Sequence, residues 1–98
     1  MASNFRIIKQ GADKSFRLSL MGSFDKTSAA QLARTLTTYG RGAETVVVCT
    51  SGLEDILPDG PQGLRQWMSG RKNGGPLLLF TGWNAEQVAP PGSTVLHE

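Results

Sequence analysis

In residues 15–21 the apolar side chains Phe16, Leu18 and Leu20 alternate without interruption with Arg17, Ser19 and Met21. Successive side chains of a β-strand point to opposite faces. This pattern therefore predicts a strand with one face in a core and the other at least partly wet. A sheet built around such a strand takes its covering helices mainly on one side. That single requirement narrows the architectures open to the chain more than any other feature of it.

The flanking segments fit the same picture. Residues 5–10 read as a short strand, and Gly11, Ala12, Asp13 and Lys14 as a turn, so the first strand should run antiparallel to the second. Gly22 is expected to end the second strand, with residues 23–26 as a loop. Ser28 with Gln31 three positions on fits a capping box, and Ala29, Leu32, Ala33 and Leu36 recur at helical spacing. Gly40 and Gly42 supply the stop. Residues 45–49, Thr-Val-Val-Val-Cys, are a run without polar alternation, as in a strand in the middle of a sheet. Residues 50–60 read as a polar, acidic loop. Pro61 suits the first turn of a second helix with Leu64, Trp67 and Met68 on its inner face, Arg65, Arg71 and Lys72 outside or at its end, and residues 73–75 as its stop. Residues 76–81 form a buried strand, 84–89 one or two helical turns, and 93–97 a last short strand. Strands alternating with helices predict a mostly parallel α/β sheet with right-handed crossovers.

Ninety-eight residues suffice for one domain with a modest core. Apolar residues at 39% put the chain among globular proteins and not disordered ones. No apolar run is long enough to span a bilayer. The opening Met1-Ala2-Ser3-Asn4 has no apolar stretch of the signal-peptide kind, and a single cysteine cannot form an internal disulfide, so a reducing cytoplasm is expected. The net charge of +2 is spread from Arg6 to Lys72 with no basic stripe, which argues against nucleic acid.

Enzymatic and metal sites find little material. The one histidine, His97, falls in the tail, away from any nucleophile–base pair. Cys49 has no basic neighbour in sequence and reads as a small core residue. A zinc ligand set is absent, and Glu54, Asp55 and Asp59 lack the spacing of a calcium loop. The stretch Gly60-Pro61-Gln62-Gly63 precedes a helix but has no phosphate-loop signature. The expectation is a protein without catalysis, cofactor or metal. Trp67 reads as core. Trp83 reads either as a lid over the sheet end or as an exposed contact residue.

Several short motifs, taken together, resemble a STAS domain (sulfate transporter and anti-sigma-factor antagonist). The strand running into Gly22-Ser23-Phe24-Asp25 resembles the family's opening. Ala29-Ala30-Gln31-Leu32 is similar to its first helix. Val46-Val47-Val48, then Ser51-Gly52-Leu53, then Gly60 and Leu64 resemble its third strand, turn and signature loop, and Pro76-Leu77-Leu78-Leu79-Phe80 its fourth strand. The resemblance covers residues 5–81. It implies a single domain with a sheet in sequential order, helices on one face, and a role in protein–protein switching.

In the anti-sigma-factor antagonists of that family the signature loop reads Asp-Ser-Ser-Gly and carries a phosphorylated serine. Here the matching residues are Leu57-Pro58-Asp59-Gly60, and the phosphoacceptor position is Pro58, which has no hydroxyl. The implied partner-facing residues are Asp25, Leu57, Pro58, Asp59, Gly60, Pro61, Leu64 and Arg65, with an anti-sigma factor or kinase as the implied partner. Asp59 is expected either to cap the second helix or to supply a fixed charge that the partner reads. The alternative within the family is an accessory subunit of a membrane or lipid transport system, binding a small molecule or a transporter. After Gly82 the family continues with a further helix, strand and final helix, whereas residues 82–98 are short. Apolar surface near Trp83 and Val88 is therefore expected to be less covered than in a full-length domain, which would favour weak self-association, the alternative being that residues 82–98 fold back as a compact cap.

Overall fold

The computed structural model describes residues 5–12, 14–70 and 76–96. Asp13 in the first turn, Arg71 and Lys72, residues 73–75 and His97 lie outside the described residues. The elements in chain order are β1 (Arg6–Ala12), β2 (Ser15–Phe24), α1 (Lys26–Tyr39), β3 (Thr45–Ile56), α2 (Asp59–Ser69), β4 (Leu77–Thr81), α3 (Ala85–Val88) and β5 (Thr94–Leu96). The five strands form one sheet in the order β1-β2-β3-β4-β5. β1 is antiparallel to β2, and the later neighbours are parallel. The mostly parallel α/β arrangement is the one that the alternation of strand and helix segments predicts, and the sequential strand order is the one that the family resemblance implies.

Phe16, Leu18, Leu20 and Phe24 of β2, Val46 and Val48 of β3, and Leu78 and Phe80 of β4 are buried in one core. Leu32 and Leu36 of α1 and Leu64 of α2 close over them. Each fully buried aliphatic side chain stabilises the fold by about 1.5–3 kcal/mol. The intervening residues of the strands lie on the opposite face, where Ile8, Met21 and Leu77 are exposed and Val47, Cys49 and Leu79 are half-buried. At the edge of the core Lys9 Nζ stands 5.2 Å from the ring centres of both Phe16 and Tyr39, which ties β1 to the end of α1.

Three strand ends depart from the sequence expectation: β1 runs on past Gln10 to Ala12, pairing Gly11 with Phe16 and Ala12 with Ser15, and the other two are the far ends of β2 and β3. β2 does not stop at Gly22 but runs on to Phe24, and β3 does not stop at Cys49 but runs on to Ile56. The two extensions pair with each other. Opposite residues step from Ser19↔Cys49 to Met21↔Gly52, and from Gly22↔Leu53 to Ser23↔Asp55. Each step inserts one extra residue in β3. Such bulges let a strand absorb turn-forming residues without leaving the sheet. Gly22 sits between them at φ 92°, a conformation glycine reaches at no steric cost. Ser51, Gly52, Glu54 and Asp55 have turn chemistry, and tertiary pairing overrides it.

The start of α1 also differs. Ser28 is not the N-cap. That position is Asp25, and the helix begins at Lys26.

The short C-terminal part folds back onto the sheet. Ala85 and Val88 of α3 are buried in the core, and β5 pairs with β4. The expected open surface near Val88 is therefore not there. Trp83, by contrast, is 69% exposed.

Candidate functional site

The C-terminal ends of β2 and β3 carry the residues that the sequence singles out. Phe24↔Ile56 is the last pair of the β2–β3 ladder, and the Leu57 N–H donates to the Phe24 carbonyl at 3.0 Å. Asp25 and Leu57 thus leave the sheet side by side. Leu57, Pro58 and Asp59 are exposed, Asp25 is half-buried, and all four stand together at this edge. Arg65 is exposed further along α2, and Pro61 is half-buried. Gly60 and Leu64 are buried and offer no side-chain surface. Leu64 fills the core beneath the loop, and Gly60 lies against Phe24.

Asp25 has a defined structural task. Its carboxylate accepts the backbone N–H of Ser28 at 2.9 Å and the Ser28 hydroxyl at 3.0 Å. The hydroxyl also lies 2.7 Å from the Ser23 carbonyl. The Ser28 backbone N–H is the main influence holding the Asp25 carboxyl below its ordinary pKa. Burial opposes it, and the Ser28 hydroxyl and nearby backbone N–H groups reinforce it. A carboxyl lowered on folding contributes stability that is fully present above its unfolded pKa of roughly 4. That contribution is lost as pH falls through the lower folded value. Asp25→Ala is expected to cost about 1 kcal/mol at neutral pH. In urea unfolding the gap between wild type and Asp25→Asn should narrow as pH falls from roughly 5 toward 2. A gap that is constant across that range would show that the carboxylate charge plays no part.

Asp59 does not cap α2. The N-cap position is Pro58, Asp59 is the first helical residue, and no side-chain cap hydrogen bond is made. The capping reading of Asp59 is therefore corrected. Its remaining structural role is a negative charge in the first helical turn, where the helix dipole favours it.

Cys49 also differs from expectation. It is half-buried on the helix-free face of the sheet, not in the core. Burial pushes its thiol pKa up. A hydrogen bond with the Arg17 side chain, hydrogen bonds with the Ser51 backbone and hydroxyl, and the Arg17 charge together outweigh that, so the net direction is down. Residues 17 and 49 are far apart in sequence, so only the β2–β3 register brings this pair together. Gln10, Ser15, Phe16, Arg17 and Val47 line a shallow depression of about 300 Å³ at the other end of the same strands.

A third group stands at the ends of β3 and β4. Thr50 is buried, and its hydroxyl donates to the Thr81 carbonyl at 3.1 Å. The Trp83 indole N–H donates to the Ser51 carbonyl at 3.3 Å, which holds the exposed ring over the sheet end. Trp83 is thus an exposed residue whose ring is tied to the end of β3 by one hydrogen bond. Asn84 follows it, 1% exposed. Sequence reasoning attached no role to Asn84. An asparagine before a short helix reads as a cap, and nothing in the linear pattern says that the cap bond is not made.

Among the described residues, no group of three or more histidines, cysteines or acids is placed to hold a metal ion. Among them also, no helix is long and apolar enough to cross a membrane. The fold and this edge define an α/β domain with a sequential five-stranded sheet and an exposed Leu-Pro-Asp loop at its C-terminal end. No protein-family model matches the chain, and no curated protein matches it.

Proposed function

We propose that this chain is a cytoplasmic protein-binding module that acts by docking a partner and not by catalysis, of the kind the STAS resemblance implies. The docking surface is the edge formed by Asp25, Leu57, Pro58 and Asp59, flanked by Pro61 and Arg65. The observation that carries this reading is Leu57. It is an apolar side chain, 42% exposed, and its own N–H is fixed to the Phe24 carbonyl. Asp25 follows the strand end that faces it, and Asp59 lies two residues on, so the same edge carries two acidic residues. An anchored apolar contact inside a charged rim is how interfaces concentrate their binding energy.

The partner is an anti-sigma-factor-like protein or kinase. Pro58 removes the hydroxyl that a kinase would use at the equivalent place, so binding is not switched there. Asp59 gives the surface a constant single charge, less than the roughly 1.5 to 2 charges of a phosphoserine.

The test is affinity capture from the source cell with immobilised protein, read by mass spectrometry. Wild type should retain a protein that Leu57→Asp loses by about thirtyfold or more, as for an interface hot spot. Asp59→Asn should weaken capture while lowering stability by less than about 1 kcal/mol, the dipole contribution. Arg34→Ala, on the exposed side of α1, is the control. Identical capture by all four proteins would remove the reading.

A further inference from the structure

Parallel strands are normally covered on both faces, and such strands are apolar on both. β3 and β4 have this composition. Val46, Val48, Leu78 and Phe80 are in the core, and the residues that alternate with them, Val47, Cys49, Leu77 and Leu79, are apolar as well. Yet α1, α2 and α3 contribute Leu32, Leu36, Leu64 and Val88 to that one core, and among the described residues no helix covers the opposite face. The register adds to this helix-free face from the flanking strands. Ile8 of β1 lies opposite Ser19, and Leu96 of β5 lies opposite Thr81. Ile8, Met21, Leu77 and Leu96 are all exposed, so apolar surface extends across the whole width of the sheet. Apolar surface of that extent marks an interaction site.

The breadth of the face decides what can cover it. Neighbouring strands lie about 4.8 Å apart, so β1 and β5 are about 19 Å from each other. A helix with its side chains is about 10–12 Å across and would leave half of that width wet. A second sheet covers all of it. Five strands of about five residues each give a flat footprint of about 400 Å² on either side of such a contact. Side-chain relief raises the total to roughly 1,000–1,200 Å², the size of weak but specific interfaces.

We propose that a second copy of this chain packs on the helix-free face, sheet against sheet, in a weak symmetric dimer with the helices outside. A two-fold axis running along β3 keeps the strands of the two sheets aligned, as in sandwiches. It lays β2 of one copy over β4 of the other. With the sheets about 10 Å apart, the two Arg17 backbones then stand about 14 Å from each other, beyond the Debye length of about 8 Å. Arg6 is on the edge strand, and Asp55 pairs with Ser23 past the second bulge, so both stand at the margin of the face. Charge at the rim around an apolar centre is the usual arrangement of an interface. This surface is separate from the Leu57 edge and does not rest on the proposed partner-binding role.

The single cysteine of the chain reports on this contact, because Cys49 is half-buried in the middle of the face. Sedimentation velocity and the rate of Cys49 alkylation by iodoacetamide are measured from about 10 μM to about 1 mM protein, the range in which an interface of this size associates. Wild type should pass from monomer to dimer. Alkylation should slow about fivefold over the same range, since at about ten times the dissociation constant one face in about five stays uncovered. Leu77→Lys places a charge where the side chain is already 53% exposed, so the protomer keeps its fold, and association should weaken by about tenfold or more. Leu57→Asp, on the other surface, should associate as wild type does. A monomer at every concentration would overturn the proposal and assign the face to a different partner. A dimer in which Cys49 reacts at the monomer rate would also overturn it, as would one that Leu57→Asp abolishes and Leu77→Lys does not. The wild-type series decides the matter even where a variant fails to fold.

Discussion

Gly60→Val is expected to destabilise the protein by more than about 4 kcal/mol, a large part of what holds the native fold. Gly60 is buried in the first turn of α2. A Cβ added there would lie 2.5 Å from the Phe24 carbonyl oxygen and 2.7 Å from Phe24 Cδ2. The ring atom could shift, but the carbonyl cannot do so cheaply. It accepts the Leu57 N–H at 3.0 Å and belongs to the last β2–β3 pair. Relief would require α2 to move away from the sheet and drag Leu64 out of the core. Alanine in a helix gains up to about 1 kcal/mol over glycine, and overpacking costs about 1–3 kcal/mol or more. Gly60→Ala should therefore lose about 2 kcal/mol net, and the branched valine more than about 4 kcal/mol. Domains are stable by only about 5–15 kcal/mol, so the valine variant removes much of the total. Gly70→Ala is the control, because its nearest atom would be 3.6 Å away and it should stay within about 0.5 kcal/mol of wild type. Urea midpoints decide it. A Gly60→Val midpoint equal to that of Gly70→Ala would show that α2 can sit further from β2 at no cost.

The second large effect comes from the other side of the same contact. Phe24 is fully buried, and its ring centre lies 6.0 Å from that of Phe5. Phe24→Ala should cost about 3–5 kcal/mol through lost burial and an unfilled cavity. For a domain of this size that is a fall in Tm of about 15–30 °C. Phe24→Leu keeps most of the volume and should cost less than about 1.5 kcal/mol. A drop of only a few degrees in Phe24→Ala would mean that Phe5 and α2 collapse into the space. Phe24 therefore joins fold and proposed function. Its side chain braces α2 through Gly60, and its carbonyl positions Leu57.

The period of each segment decided much of this protein before any packing is considered. The alternation of Phe16, Leu18 and Leu20 placed the helices on one face, and those residues are buried beneath α1 and α2. The helical stripe of Leu32 and Leu36, between two strand-like segments, required a crossover and hence a parallel β2–β3 pair. These features depend on near neighbours in sequence, and period carries that information directly. The grouping of Asp25 with residues 57–59 came instead from the STAS resemblance, and the β2–β3 register brings them to one edge.

What the linear pattern left undecided depends on contacts between distant residues. The extension of β2 and β3 through Gly22 and Ser51-Gly52 arises because each strand end satisfies the other's backbone groups, which neither segment encodes alone. Asp25, not Ser28, caps α1 because the pairing that carries β2 on to Phe24 keeps the chain extended at Asp25, and its carboxylate accepts the Ser28 N–H. Gly60 is set by a close approach to Phe24, and the Cys49 thiol by Arg17 across the sheet. The unmatched amide of Asn84 exists only because α3 folds back and buries it at the end of β4. Register, close approach and desolvation are properties of the assembled fold, so the tertiary structure alone decided them.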